Sequence, residues 1–364
     1  MNQTRGFIAV HVGAGQHSVS LKDKYQKLSQ EACEKGIDIL KTSNDVVEAV
    51  VQAVIVLEDS PLTNAGYGSN LTYNGNVECD ASIMNGSNYH YGAVGAITNV
   101  KNPIEVAKRL CQYQEVDIGH GRVPPSFLVG EGALSWAKEM GVQPISSEEL
   151  ISVKAQKVYK HYKRKVENDS SDITKQTKKR MDTVGAVCVD QYGNIASACS
   201  SGGIILKYPG RVGQAGVWGC GVWASKGASS VGTSTSGCGE HLVRTTLART
   251  VADAITDADC PVASLHNSMQ TNFMGSKFLA NLSEKHGGVI AIRYSIDDDC
   301  GDFLWSHSTN SMIVGYMSSK NKSAKSRVSN LLSHEAGKKV IVEGIPFKLE
   351  GKNKLAKDES LSTI

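Results

Sequence analysis

Asp182-Thr183-Val184-Gly185-Ala186-Val187-Cys188-Val189-Asp190 is the stretch on which the reading of this 364-residue chain turns. Its apolar run predicts a buried strand from Thr183, and Tyr192-Gly193-Asn194 predicts a turn into a return strand over 195–200. The strand thus opens on a nucleophilic hydroxyl. Just upstream the pattern is different. Between Ile151 and Met181 there are 10 Lys and Arg against 3 Asp and Glu, a local excess of +7 in a chain whose total is +3. That segment has no sustained apolar period, so a mobile basic insertion is expected over about 154–182, with room for one basic helix.

Downstream, 13 of the 36 glycines fall between Gly185 and Gly239, which implies backbone passing close to another backbone or to a ligand. Ser200-Ser201-Gly202-Gly203 ends the return strand, so Ser201 is expected near Thr183. Pro209-Gly210-Arg211-Val212-Gly213-Gln214 sets an arginine between glycines, where a guanidinium can grip a carboxylate with two bonds. Thr235-Ser236-Gly237-Cys238-Gly239-Glu240 enters a predicted helix, whose free N–H groups suit a developing oxyanion. Nucleophile, anion clamp and oxyanion donors together describe an acyl-transfer site. The dipeptide Asp182-Thr183 alone reads as a turn feeding a strand; its context gives it the chemical reading.

Elsewhere the periodicity predicts a strand over 7–12 ending at Gly13 and Gly15, helices over 22–41 and 45–58, a turn-rich stretch over 61–76 and a strand over 91–98. Helices follow near 103–112 and 126–140, then over 239–255 and from 261, with strands near 288–295, 303–309, 311–317 and 340–349. One folded unit with one insertion is expected.

With 40% hydrophobic and 6% aromatic residues the chain is neither disordered nor fibrous, and it lacks the stacking surface of single-strand nucleic-acid binders. The nine cysteines, odd in number and never spaced C-x-x-C, read as reduced intracellular thiols without disulfides or zinc. The most apolar window, 46–57, is too short to cross a bilayer, and no secretory leader opens the chain. A soluble, unsecreted protein with no membrane partner is expected. His11-Val12-Gly13-Ala14-Gly15 lacks the third glycine of a dinucleotide site, and Asp297-Asp298-Asp299 reads as a charged turn, so no cofactor or metal is expected.

Taken in order, the segments 7–15, 57–71, 78–86, 92–97, 182–187, 200–203, 210–214 and 234–244 resemble the isoaspartyl peptidase/L-asparaginase family of N-terminal-nucleophile hydrolases, and within it the protease branch, the threonine aspartases. The resemblance implies an α+β fold, a four-layer αββα sandwich made as an inactive precursor. Cleavage between Asp182 and Thr183 would leave an alpha subunit (1–182) and a beta subunit (183–364) associated as one unit, and two such units could pair. Thr183 would be the nucleophile, with its own freed α-amine as base. Ser201 would support the Thr183 hydroxyl and amine, Arg211 would bind the substrate carboxylate, and Ser236 with the Gly237 N–H would form the oxyanion hole. Asn64 and Gly13 would line the site.

Two departures separate this chain from the asparaginase pattern. Asp182 stands where asparaginases place glycine, and Gln214 stands where they place the aspartate that holds a free amino acid's ammonium. Both favour an endopeptidase cutting proteins after aspartate. The alternative is an L-asparaginase or isoaspartyl peptidase acting on small substrates, and a non-enzymatic basic adaptor is a third. Lys163-Arg164-Lys165 and Lys178-Lys179-Arg180, 12 residues apart, form a bipartite basic pattern. It implies a nuclear import receptor as partner and a nuclear and cytoplasmic location, and the resemblance to the threonine aspartases implies nuclear transcriptional regulators as substrates, without direct nucleic-acid binding.

Overall fold

The computed structural model describes residues 4–168 and 182–349. Its first half runs β1 (Gly6–Gly15), α1 (Lys22–Ser43), α2 (Val46–Glu58), β2 (Cys79–Asn85), β3 (Tyr91–Ile97), α3 (Pro103–Tyr113), β4 (Phe127–Val129), α4 (Gly130–Glu139) and α5 (Val153–Asn168). The second half runs β5 (Val184–Asp190), β6 (Ile195–Ser201), β7 (Val222–Ser225), β8 (Ser229–Gly237), α6 (Gly239–Arg244), α7 (Leu247–Ile255) and α8 (Pro261–Ser268). It ends with β9 (Gly287–Ser295), β10 (Cys300–His307), β11 (Ser311–Ser318), β12 (Lys325–Asn330) and β13 (Ile341–Phe347).

These elements make a mixed α/β fold with two sheets. One has eight strands in the order β12-β11-β1-β5-β6-β2-β3-β4, and the other five, β13-β10-β9-β8-β7. The alternation of buried side chains explains how they pack. On β1, Ile8, Val10 and Val12 face one way and join a core with Ile37 and Leu40 of α1 and Val50 and Val54 of α2. Phe7 and Ala9 face the other way and join a core with Ile290, Ile292, Phe303 and Trp305 of the second sheet. The outer face of that sheet, through Val289, Ala291 and Leu304, packs on Val251 and Ile255 of α7 and Leu265 of α8.

Local signals set several boundaries. Asp45 caps α2 by accepting from the Val47 N–H at 2.8 Å, and Pro103 opens α3, where its missing N–H costs nothing. The helix expected over 239–255 is two helices: Thr246, at φ 41°, lies in left-handed backbone and breaks it. The stretch expected to be helical over 126–140 opens with the short edge strand β4. β2, β7, β8 and β12 carry no predicted strand, because their apolar residues are interleaved with Asp, Ser, Gly and Lys.

The basic segment carries the one helix allowed for it. Its first part is the helix α5, of which Ala155 alone is buried. Ala155 and Tyr159, on one face, pack against the first core, and polar contacts add to them: Lys154 Nζ donates to the Leu62 carbonyl at 2.8 Å, and Lys163 Nζ to the Tyr73 carbonyl at 3.0 Å. Residues 169–181, with the second basic cluster at 178–180, lie outside the described residues. No described helix is long and apolar enough to cross a membrane. Of the nine cysteines, all free, seven are buried, while Cys260 and Cys300 are exposed.

Candidate active site

Thr183 immediately precedes β5, in the middle of the eight-stranded sheet, and is 1% exposed. Antiparallel pairing sets Val184 opposite Ser200, which brings Ser201 beside Thr183. The Thr183 hydroxyl donates to Ser201 Oγ at 2.9 Å and accepts from Gln214 Nε2 at 3.0 Å. Its proton is therefore aimed at Ser201, and one lone pair is held by the glutamine amide. The second sheet supplies the next contact. Ser236, at the end of β8, accepts from the Thr183 N–H at 3.1 Å and from the Ala14 N–H at 2.8 Å.

The roles expected of Ser236 at an oxyanion and of Ser201 at the freed Thr183 amine belong to the cut protein with its substrate. In the uncut chain Ser236 sits on the Thr183 nitrogen, because β8 crosses the end of β1 and reaches the backbone side of Thr183. The carbonyl of the 182–183 bond is met by Asn64, whose Nδ2 donates to the Asp182 carbonyl at 2.7 Å and to the Gly203 carbonyl at 2.8 Å. The Asn64 Oδ1 accepts from the Asn70 N–H at 2.8 Å, which fixes the amide's orientation. Gly237, at φ 142°, lines the cavity beside Thr183 with Arg211 and Gln214.

Arg211 is not a free clamp. Its Nε and Nη2 donate to the two carboxylate oxygens of Glu240 at 2.9 and 2.8 Å, while Nη1 is left toward Gly203 and Gly213. Partial burial raises the Glu240 carboxyl, but the Arg211 charge and hydrogen bonds outweigh it and hold the group below its ordinary range. On the other side, a Cβ on Gly13 (φ 122°) would lie 2.8 Å from Asp182 Cβ, so a side chain there would displace Asp182. The structure thus brings Gly13, Asn64, Asp182, Thr183, Ser201, Arg211, Gln214, Ser236 and Gly237 to one place.

A family model described as asparaginase matches residues 4–326. The isoaspartyl peptidase/L-asparaginase of Xenopus laevis is 34% identical over 305 residues, covering 84% of this chain and 90% of that protein. The chain belongs to this asparaginase family. The isoaspartyl peptidase/L-asparaginase of Bos taurus is 39% identical over 245 residues, 66% of this chain and 74% of its own. The isoaspartyl peptidase of Salmonella typhimurium is 34% identical over 262 residues, 68% and 78% respectively. Membership makes this chain a hydrolase of the N-terminal-nucleophile type.

In this asparaginase-family site, several supporting residues escape a reading of the sequence. Asp80, fully buried on β2, accepts from the Gly213 N–H at 2.8 Å and from the Ala96 N–H at 2.8 Å, anchoring the loop that carries Arg211 and Gln214. Lys207, 2% exposed, donates to the Glu78 carbonyl at 2.8 Å and packs with Arg211 around Gly203. His11 lies beneath Thr183 with Nε2 2.9 Å from Ser234 Oγ. Burial, only partly offset by the Thr183 backbone, lowers its pKa to about 3 and keeps the ring neutral. Glu58 is pushed the other way. Burial raises it to about 8, against hydrogen bonds from Ser200, the Ile104 N–H and Asn102. Asp80 and Lys207 lie in or beside quoted motifs; nothing in a sequence tells that they are buried.

Proposed function

We propose that this chain is an N-terminal-threonine hydrolase that cuts its own Asp182–Thr183 bond and then cleaves protein substrates after aspartate. The observation that carries the reading is the threonine hydroxyl held between Ser201 and Gln214, with the preceding carbonyl on Asn64. Thr183 Oγ attacks the Asp182 carbonyl carbon, and Asn64 Nδ2 stabilises the charge on its oxygen. The C–N bond breaks, the nitrogen takes the hydroxyl proton, and an ester links Asp182 to Thr183 Oγ. Water then hydrolyses the ester, which frees the Asp182 carboxylate and the Thr183 hydroxyl; the amine released in the shift has Ser236 as its acceptor. That amine, with an ordinary pKa near 7.7–8.0, serves as base for later turnovers.

The alpha (1–182) and beta (183–364) subunits then remain joined by the pairing of β1 with β5 and β2 with β6. The three cores that alternate with the two sheets support a four-layer αββα sandwich. After cleavage, Arg211 keeps Glu240 and offers Nη1 and the second Nη2 hydrogen to a substrate carboxylate.

Gln214 favours protein over amino-acid substrates. Among the described residues lining the cavity, Asp182 is the one acid, and Glu240 is committed to Arg211. A free amino acid would bring an ammonium with no carboxylate to meet it, which is costly in a buried site. A peptide amide brings no charge. The names of the relatives favour a second reading, an isoaspartyl peptidase/L-asparaginase acting on small substrates. One experiment separates them: kcat/KM of self-cut protein on an aspartyl peptide, an isoaspartyl dipeptide and asparagine, for wild type and Gln214→Asp. Protein cleavage predicts peptide hydrolysis with little ammonia from asparagine, and a shift toward asparagine in the variant. Strong asparagine or isoaspartyl turnover by wild type without peptide cleavage establishes the second reading.

A further inference from the structure

In the uncut chain the Asp182 carboxylate has its own recess, apart from the Arg211–Glu240 pair. Its Oδ1 is buried and accepts no hydrogen bond. It lies where a side chain on Gly13 would be, and among the described residues the basic side chain beside it is His17, with Nε2 3.9 Å from Oδ1. The His17 ring is 5% exposed and fixed from two sides. Nδ1 is 2.8 Å from Ser311 Oγ, and the ring meets Tyr25 edge-on at 5.1 Å. Ser311 Oγ also accepts the His17 backbone N–H at 3.0 Å, which leaves its own hydrogen for Nδ1. That arrangement puts a ring hydrogen on Nε2, directed between the Val12 carbonyl at 3.5 Å and the Asp182 carboxylate.

We propose that His17 is a positioning residue for self-cleavage: it holds the Asp182 side chain while Thr183 attacks, a task that Arg211 performs for substrates arriving from outside. The proposal rests on the self-cleavage reading above. His17 touches none of the reacting atoms. By holding the carboxylate against Gly13 it keeps the Asp182 carbonyl on Asn64 Nδ2, and so keeps the carbonyl carbon presented to Thr183 Oγ. The 3.9 Å separation is longer than a hydrogen bond and closes with a shift of about 1 Å. Precursor and substrate thus have their aspartates read by different side chains, and maturation can be altered separately from specificity.

The test follows newly synthesised full-length chain by intact mass and measures the rate at which it becomes two fragments, 1–182 and 183–364. His17→Phe keeps a ring against Tyr25 and removes the donor; self-cleavage should slow about tenfold. His17→Gln restores a donor near the Nε2 position and should recover most of that rate. In an Asp182→Gly background, where no carboxylate is present, His17→Phe should change the rate less than about twofold. Wild-type speed in His17→Phe overturns the proposal, as does an equal loss in both backgrounds, which would assign His17 to the fold. If His17→Phe does not fold, His17→Leu, which also lacks the donor, compared with and without the Asp182→Gly substitution decides by the same criterion. Failure of the wild type itself to split would strike the self-cleavage reading and is a different result.

Discussion

Thr183 is 1% exposed, and its hydroxyl and amide nitrogen all meet partners, whereas Asp182, one residue earlier, keeps a buried carboxylate oxygen without a hydrogen bond. The contrast follows from where each residue sits. Thr183 is locked by the pairing of β5 with β6 and by the end of β8, so its contacts are set by two sheets. Asp182 is outside the strand and is held by single side chains from loops, Asn64 from the turn after α2 and Gly13 with His17 at the end of β1. In the self-cleavage proposed above, the nucleophile stays and the acyl residue must leave. A firm grip on one side and a light grip on the other suit that sequence of events.

The largest effect expected along this contrast is on the nucleophile. Thr183→Ala should abolish self-cleavage, leaving one intact mass after any incubation; a cut Thr183→Ala chain would move the nucleophile elsewhere. On the acyl side, Asn64→Ala removes the one described side-chain donor to the Asp182 carbonyl. Self-cleavage should fall on the order of 10²–10³-fold, the usual cost of one oxyanion donor. A rate close to that of wild type would show that the carbonyl is stabilised by other groups.

The substrate side should respond less. Arg211→Lys keeps the charge but loses the planar fork, and kcat/KM on an aspartyl peptide should drop about 10²-fold. Glu240→Gln, which leaves Arg211 its charge but loosens its orientation, should cost about tenfold on the same assay. If Glu240→Gln is instead faster than wild type, Glu240 competes with the substrate carboxylate for the arginine.

The smallest effect concerns the support beneath the acyl side. Glu58 crowds Gly66, in the turn that carries Asn64, and its buried carboxyl titrates near 8 against an ordinary 4.5. Because the folded pKa is the higher, the native state holds the extra proton, and stability falls as pH rises from about 4.5 to about 8. Glu58→Gln has no such proton to lose. Between about pH 5 and 8, Tm should decline about 2 °C less in the variant than in wild type, measured by thermal unfolding of Thr183→Ala chains so that cutting does not intervene. Equal declines would show that other groups set the slope.

How much of this can be read from the residues depends on how local each signal is. The strand at Thr183, the turn at Tyr192 to Asn194, the return to Ser201 and the helices α1 to α3 are carried by apolar period, caps and turn residues within a few positions. Asn64, Arg211, Ser236 and Gly13 emerge through motif resemblance, which marks positions but not partners. β2 escapes because Asp80 and Ser82 interrupt its apolar run, yet Asp80 is buried where it holds the Arg211 loop through backbone N–H groups. For α5, read as one basic helix, the anchoring is hidden for a related reason: lysines and a tyrosine reach across to residues 62–75.

The order of residues by itself determined the strand that follows Thr183 and the asparaginase-family motifs, because those rest on short-range spacing. Only the tertiary structure decided which hydroxyl meets the Thr183 nitrogen, that Glu240 rather than a substrate fills part of the Arg211 fork, and that Asp182 faces Gly13 and His17. Each of those outcomes depends on where strands and loops far apart in the chain end relative to one another. No local propensity encodes that distance; the packing of two sheets against each other does.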